Sequence, residues 1–284
     1  MTDINLQPVT TVNFEAFTSA FNHAYHDYHV PIVMTVPSFQ KLIARENIQL
    51  DASVAAVDGD QIVGMGMLGI RGNRAWIGGM GVIPERRRQG IGRRMMAYLL
   101  EQAREHDISE VWLEVIEANT GAHALYLEMG FEQLRFLHVV EREPDVATPP
   151  ATEHIIEERP MAAVLAHYAD FHSTPNCWQR DLASIQHLDL DGWAALNGSQ
   201  VMAYAIGWAD SHDIRVIDIG AMPGAGGMTA ATDLVGHLHR AYPTAPGSAY
   251  NIADDDPLLA AFRQNGYTTT MRQIEMRYTW KNHE

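Results

Sequence analysis

Val82-Ile83-Pro84-Glu85-Arg86-Arg87-Arg88-Gln89-Gly90-Ile91-Gly92-Arg93-Arg94 reads as the end of a strand, a basic turn carrying two glycines, and the opening of a helix. A backbone makes a phosphate cradle in this way. Glycine has no Cβ, so the chain can turn tightly and bring successive N–H groups to an anion, where the dipole of the new helix also favours negative charge. Five arginines fall between positions 86 and 94 of a 284-residue chain whose formal net charge is -15. A basic cluster in an acidic chain points to a local anionic ligand. No Gly-Lys-Ser/Thr follows, which argues against a triphosphate loop, and a dinucleotide fingerprint needs three spaced glycines and a later acidic residue.

Downstream, Val111-Trp112-Leu113-Glu114-Val115 alternates as a strand does, and Asn119-Thr120-Gly121-Ala122-His123-Ala124-Leu125-Tyr126-Leu127-Glu128-Met129-Gly130-Phe131 follows it. The pair Arg87-x-x-Gly90-x-Gly92 and Asn119-x-x-Ala122-x-x-Leu125-Tyr126-x-x-x-Gly130-Phe131 resembles the two signatures of the GNAT N-acetyltransferase superfamily, in the family's order. The resemblance implies an α/β (α+β) fold, a central mixed, mostly antiparallel sheet flanked by helices. It implies transfer of an acetyl group from acetyl-coenzyme A (acetyl-CoA) to a primary amine of a small molecule or protein. Met80, Gly81 and Val82 would then hold the pantetheine arm through their backbone. Arg87, Arg88, Gln89, Gly90, Ile91, Gly92 and Arg93 would receive the pyrophosphate, Asn119 would join the cofactor site, and Tyr126 would be the general acid to the departing thiolate. A phenol of pKa about 10 suits that role. Trp76 to Val82 contains no carboxylate, so the base stays open between Glu114, Glu117 and a water relay, with Glu114 preferred for lying mid-strand.

Composition agrees with an enzyme. A chain of this length, 46% hydrophobic, can bury one or two cores. The lone cysteine, Cys177, excludes an internal disulfide and fits a reducing, cytoplasmic setting. The opening Met1-Thr2-Asp3-Ile4 is not that of a secretory leader, and no apolar run reaches transmembrane length, so no membrane partner is expected. The acidity argues against nucleic acid as a partner. His23, His26 and His29 stand near Asp27, but their spacing spreads them around a helix, so no metal site is expected.

Before the loop, residues 13–28 show helical periodicity, residues 37–47 suggest a second helix, and Asp58-Gly59-Asp60 and Arg71-Gly72-Asn73-Arg74 mark two hairpins. Tyr25, Tyr28 and Met34 either pack or line an acceptor pocket. After the loop, Ile91, Met95, Leu99 and Ala103 recur every four residues, one buried helix face. Pro144, Pro149 and Pro150 lie in a segment without periodicity, read as a linker over 144–152 between a catalytic domain, 1–143, and a second domain, 153–284.

The second domain repeats the first. Ala195-Leu196-Asn197-Gly198-Ser199-Gln200-Val201 matches Ala56-Val57-Asp58-Gly59-Asp60-Gln61-Ile62, Gly220 matches Gly81, Pro223 matches Pro84, and Gly266-Tyr267 matches Gly130-Phe131. Continued without a gap at an offset of 139, this places Gly226, Thr229 and Ala231 against Arg87, Gly90 and Gly92. Further on the offset is 136, implying three residues lost around the intervening helix and strand, and Phe262 falls at Tyr126 and Asp255 at Asn119. Two tandem GNAT-like domains are expected, the first active and the second degenerate. They would form an internal pseudo-dimer in a monomer, or the chain would assemble as a homo-oligomer. The rival to an enzyme is a non-catalytic acyl-CoA-binding or regulatory protein.

Overall fold

The computed structural model describes residues 4–144, 146–147, 149–150 and 153–280, so residues 145, 148, 151 and 152 of the expected linker lie outside the described residues. Packing divides the chain into two compact units, residues 1–134 with 275–284, and residues 135–274. Both division points therefore fall away from the proline-bearing segment 144–152.

The first unit runs β1 (Asn5–Pro8), α1 (Phe14–Tyr25), α2 (Val36–Arg45), β2 (Val54–Asp58), β3 (Gln61–Arg71), β4 (Arg74–Val82), α3 (Ile91–Glu105), β5 (Glu110–Ile116) and α4 (Thr120–Glu128). Strands β1 to β4 are antiparallel neighbours in chain order. The helical crossover α3 then makes β5 parallel to β4. The hairpins turn over Gly59-Asp60 and Gly72-Asn73. Asn13 starts α1 by accepting from the Ala16 N–H at 2.8 Å. That helix stops at Tyr25, three residues short of the expected end, because the chain turns back. Asn22 holds Met34 from both sides, donating to its carbonyl at 2.8 Å and accepting from its N–H at 2.7 Å.

Burial follows the sequence periods. Phe17 and Phe21 on α1 pack with Phe39 of α2, and Ile91, Met95, Leu99 and Ala103 of α3 are all buried. Each large apolar side chain so removed from water contributes about 1.5–3 kcal/mol.

β6 (Glu132–Arg142) leads into the second unit, which contains β7 (Ile155–Pro160), α5 (Met161–Leu165), α6 (Tyr168–Phe171), α7 (Leu182–Ile185), β8 (Asp191–Asn197), β9 (Gln200–Ala209), β10 (Ile214–Ala221), α8 (Ala225–Ala241), β11 (Gly247–Ala253), α9 (Leu259–Gln264) and most of β12 (Thr268–Thr279). The end of β12, from Glu275, packs with the first unit, where β12 neighbours β5. The second unit repeats the plan. β7 to β10 are antiparallel in order, β10 is parallel to β11 across α8, and β11 is antiparallel to β6. Each unit is thus a mixed, mostly antiparallel sheet flanked by helices.

One expected correspondence is corrected. Gly226, Thr229 and Ala231 do not stand in a loop like that of Arg87, Gly90 and Gly92; they lie in α8, which begins at Ala225. Only Met222, Pro223 and Gly224 separate β10 from its helix, whereas Ile83 to Gly90 separate β4 from α3. The loss of three residues expected around the intervening helix and strand is instead seen as a shortening before the helix, at the loop.

Candidate active site

In the first unit β4 and β5 pair only over Arg74–Trp76 and Glu110–Trp112, at their starts. Beyond that point the two parallel strands diverge. A bulge helps to turn β4 away: the register against β3 shifts between Ile77 and Gly79, and Gly79 has φ 156, a value that favours glycine. Met80, Gly81 and Val82 pair with β3 on one edge and line a cleft of about 340 Å³ with the other residues of the opening. Helix α1 crosses close over this strand. A Cβ on Gly81 would stand 3.1 Å from both Ala24 Cβ and Tyr25 Cε2, so the close approach depends on glycine.

The loop after β4 supplies donors. Gly90 has φ 78 and caps α3 without a side chain, and Arg88 before it is also left-handed, φ 63. The first bond into this helix runs from the Arg94 N–H to the Gly90 carbonyl at 3.1 Å. Among the described residues no backbone carbonyl accepts from the amides of 88 to 93. Six consecutive donors at a helix start, beside arginines, form an anion cradle. Most of the arginine side chains are nevertheless occupied. Arg86 pairs with Asp58, Arg93 with Glu128, and Arg94 donates to the Ile4 carbonyl at 2.7 Å. Arg87 donates to both oxygens of Asp27 at 2.7 Å. Arg88 is exposed and, among the described residues, its side chain makes no ion pair or hydrogen bond.

Tyr126 reaches the same cleft from α4, and the end of that helix fixes where it stands. Gly130, φ 94, sends its N–H to the Leu127 carbonyl at 3.0 Å, and Phe131 sends its N–H to the Tyr126 carbonyl at 3.0 Å. This is a left-handed helix stop of the Schellman kind, completed by contact of the Phe131 and Tyr126 rings at 6.0 Å. The spacing Tyr-x-x-x-Gly-Phe is therefore a geometric requirement of this stop. Asn119 begins the same helix, accepting from the Ala122 N–H at 3.3 Å, and lines the cleft with Tyr28.

Tyr126, Tyr25 and Tyr28 all line the cleft. Burial, reinforced by the neighbouring Tyr28, raises Tyr126 well above the ordinary phenol range, and burial also raises Tyr25 and Tyr28. Tyr25 donates to the Met80 carbonyl at 3.4 Å and stacks on Phe21 with centroids 4.5 Å apart. The phenols are neutral at physiological pH.

The cleft brings together Met80, Gly81, Val82, Arg87, Arg88, Gly92, Asn119 and Tyr126 of the expected site residues. Ile91 faces the core, leaving its amide alone to serve the loop. Gln89, Gly90, Arg93 and Glu114 do not line the cleft. Glu114, on β5 two residues beyond its paired start, accepts from the Trp76 indole N–H at 2.7 Å. His23 contacts Glu85 at 3.2 Å, and His26 bonds the His23 carbonyl at 3.0 Å, so both are engaged along α1 and the adjoining loop, while His29 lines the cleft. Leu125 and Asp27 were missed as lining residues. Asp27 carried no motif of its own, and only its distance from Arg87 in the folded chain gives it meaning.

The second unit keeps the opening and fills it. β10 and β11 pair only over Ile214–Val216 and Gly247–Ala249, again diverging beyond a bulge, here at Ile217. Into that gap Arg180 sends a buried guanidinium, which donates to the Ile217 carbonyl at 3.3 Å, the Asn251 carbonyl at 3.2 Å and Asp218 Oδ1 at 2.8 Å. Asp218 is fully buried and also accepts from Tyr204 at 2.7 Å and Asn176 at 3.1 Å, with His172 Nε2 3.0 Å away. Phe262 stands where Tyr126 does, before the same helix stop: Gly266 bonds the Arg263 carbonyl and Tyr267 the Phe262 carbonyl, each at 3.1 Å. Among the described residues the fold persists there with a shortened loop and with phenylalanine in place of the phenol at the helix stop.

Residues 13–131 match the family model described as "Acetyltransferase (GNAT) family". Over 52 residues the chain is 36% identical to the [ribosomal protein bS18]-alanine N-acetyltransferase of Escherichia coli K12, a match spanning 18% of this chain and 35% of that relative. A GCN5-related N-acetyltransferase from Sphaerobacter thermophilus superposes over 97% of this chain and 95% of its own, with TM-score 0.69 and 16% identity. A tandem GNAT protein from the clavulanic acid biosynthesis pathway superposes over 99% of this chain and 100% of its own, with TM-score 0.65 and 15% identity. At these identities the structural matches speak for the fold, a tandem GNAT fold. The first repeat of this chain is a GNAT-family domain.

Proposed function

We propose that this GNAT domain is an acetyl-CoA-dependent N-acetyltransferase and that the second unit is catalytically silent. The observation that carries the reading is the convergence of Tyr126, the diverging strand Met80–Val82 and the glycine loop on one cleft. The fit to acetyl-CoA rests on the six uncommitted amides of 88 to 93 and on the cleft that Met80, Gly81 and Val82 line beside them. Acetyl-CoA supplies the thioester. Amides 88–93, with Arg88 beside them, would bind its pyrophosphate, and the backbone of Met80 to Val82 would orient its pantetheine arm.

The acceptor amine attacks as the free base, so its proton must first leave, to Glu114 or to water. Glu114 accepts from the Trp76 indole N–H at 2.7 Å, which fixes the carboxyl group that would take the proton. As the C–N bond forms and the C–S bond breaks, Tyr126 donates its proton to sulfur. Burial weakens a phenol as an acid, yet the same apolar wall makes a thiolate a stronger base, so the transfer remains matched. The curated relative acetylates an alanine of a ribosomal protein; for this chain the acceptor class is a primary amine of a small molecule or protein. A lone, buried Cys177 supports work in the cytoplasm.

The test is release of free thiol from acetyl-CoA across amines, amino acids, polyamines, aminoglycosides and peptides, with wild type beside Tyr126→Phe. Amine-dependent release that falls sharply in the variant supports the enzyme. Binding of coenzyme A with no release for any amine supports the rival reading, a non-catalytic acyl-CoA-binding or regulatory protein.

A further inference from the structure

Arg87 belongs to the glycine loop, yet its side chain is committed to other partners. One NH group and its neighbour grip both oxygens of Asp27 at 2.7 Å, Nη2 also donates to the Ala24 carbonyl at 3.0 Å, and Nε donates to the Val82 carbonyl at 3.1 Å. The guanidinium thus joins the last turn of α1, the last residue of β4 and the loop. A forked, planar donor set can do this, and a lysine could not. The pairing holds Asp27 at a pKa of about 2.

What lies on either side of the pair gives the staple its consequence. Only Arg88 and Gln89 separate Arg87 from the left-handed helix cap Gly90, so fixing Arg87 fixes the direction of the amide row. Tyr28 follows Asp27 directly, packs edge-on against Tyr25 with centroids 5.0 Å apart, and lines the same cleft as Asn119, the cap of the helix that carries Tyr126. We propose that Asp27 and Arg87 are positioning residues, a staple that sets the phosphate loop against the tyrosine wall, while Arg88 is the arginine that meets the anion. The inference rests on the acyl-CoA reading given above.

Electrostatics and positioning predict opposite signs here, which makes the test decisive. Removing a carboxylate near an anion site should tighten coenzyme A on charge alone, and it would also release Arg87 toward the phosphates. Loss of the staple should weaken binding instead. The measurement is calorimetric titration of the full chain with coenzyme A, for wild type, Asp27→Asn, Asp27→Glu and Arg88→Gln, with KM and kcat for acetyl-CoA alongside. For a half-exposed bidentate pair the expected loss in Asp27→Asn is about fivefold in Kd. KM should rise more than kcat falls, and Asp27→Glu should recover most of the affinity. Unchanged or tighter binding by Asp27→Asn overturns the staple, provided wild type binds and Arg88→Gln binds more weakly. Failure of wild type itself to bind coenzyme A overturns the acyl-CoA reading and the staple with it.

Discussion

Tyr126 is the residue whose chemistry separates an enzyme from a binder. Its phenol is buried beside Tyr25 and Tyr28, which raises its pKa above the ordinary range. A group so raised stays protonated as the pH climbs, so the acid remains competent throughout. Measured kcat should therefore not fall between about pH 7 and pH 10. A loss of kcat with its midpoint at the ordinary phenol value would contradict this. Tyr126→Phe should lower kcat by about a hundredfold, the usual scale for one general acid, with Kd for coenzyme A nearly unchanged. Equal turnover in both proteins would remove Tyr126 from the mechanism. In the second unit Arg180 and Asp218 form a buried ion pair. Arg180→Leu would remove the main positive partner of the buried Asp218, leaving His172, Tyr204 and Asn176 to hold it, and should cost about 3 kcal/mol, read by denaturant unfolding. A variant as stable as wild type would show that the network is not holding the gap closed.

At the scale of elements, the loop and the helix stop decide what the sequence could reveal. The glycine loop was legible because its function is a backbone conformation, and left-handed Gly90 is visible as a glycine. The helix stop was legible for the same reason at Gly130, and so were the alternating strands and the four-residue period of α3. Gly130→Ala places a Cβ at φ 94 and should destabilise the first unit by about 1–2 kcal/mol, measured by thermal unfolding, with a loss of kcat as Tyr126 shifts. No change in either quantity would detach the motif from the site. What stayed hidden depends on contacts between distant residues. The Asp27–Arg87 pair spans sixty positions, and nothing local marks it. The filled opening of the second unit was hidden too, since Arg180 lies in a segment without a motif. The absent loop before α8 was hidden because a three-residue loss between the copies does not mark its own place, and helix residues match loop residues when the gap is set further on.

At the scale of the whole molecule, the chain carries one fold twice, and the candidate site lies in the first copy. Residues from Glu275 onward count with the first unit, where Arg277 reaches Glu110 at 3.3 Å and the Tyr278 ring meets Phe131 at 5.5 Å. A chain cut after residue 143 loses those contacts. It should unfold at lower temperature than the first unit of the full chain, and a truncated protein that is soluble, equally stable and fully active would refute that dependence. The central claim is that only the first repeat takes an acyl-CoA. Equilibrium titration of the full chain with coenzyme A tests it directly. The account predicts one site per chain, weakened when Gly90 is replaced by valine and unchanged by Thr229→Val in α8. Two sites per chain, none, or a single site indifferent to Gly90 would contradict it.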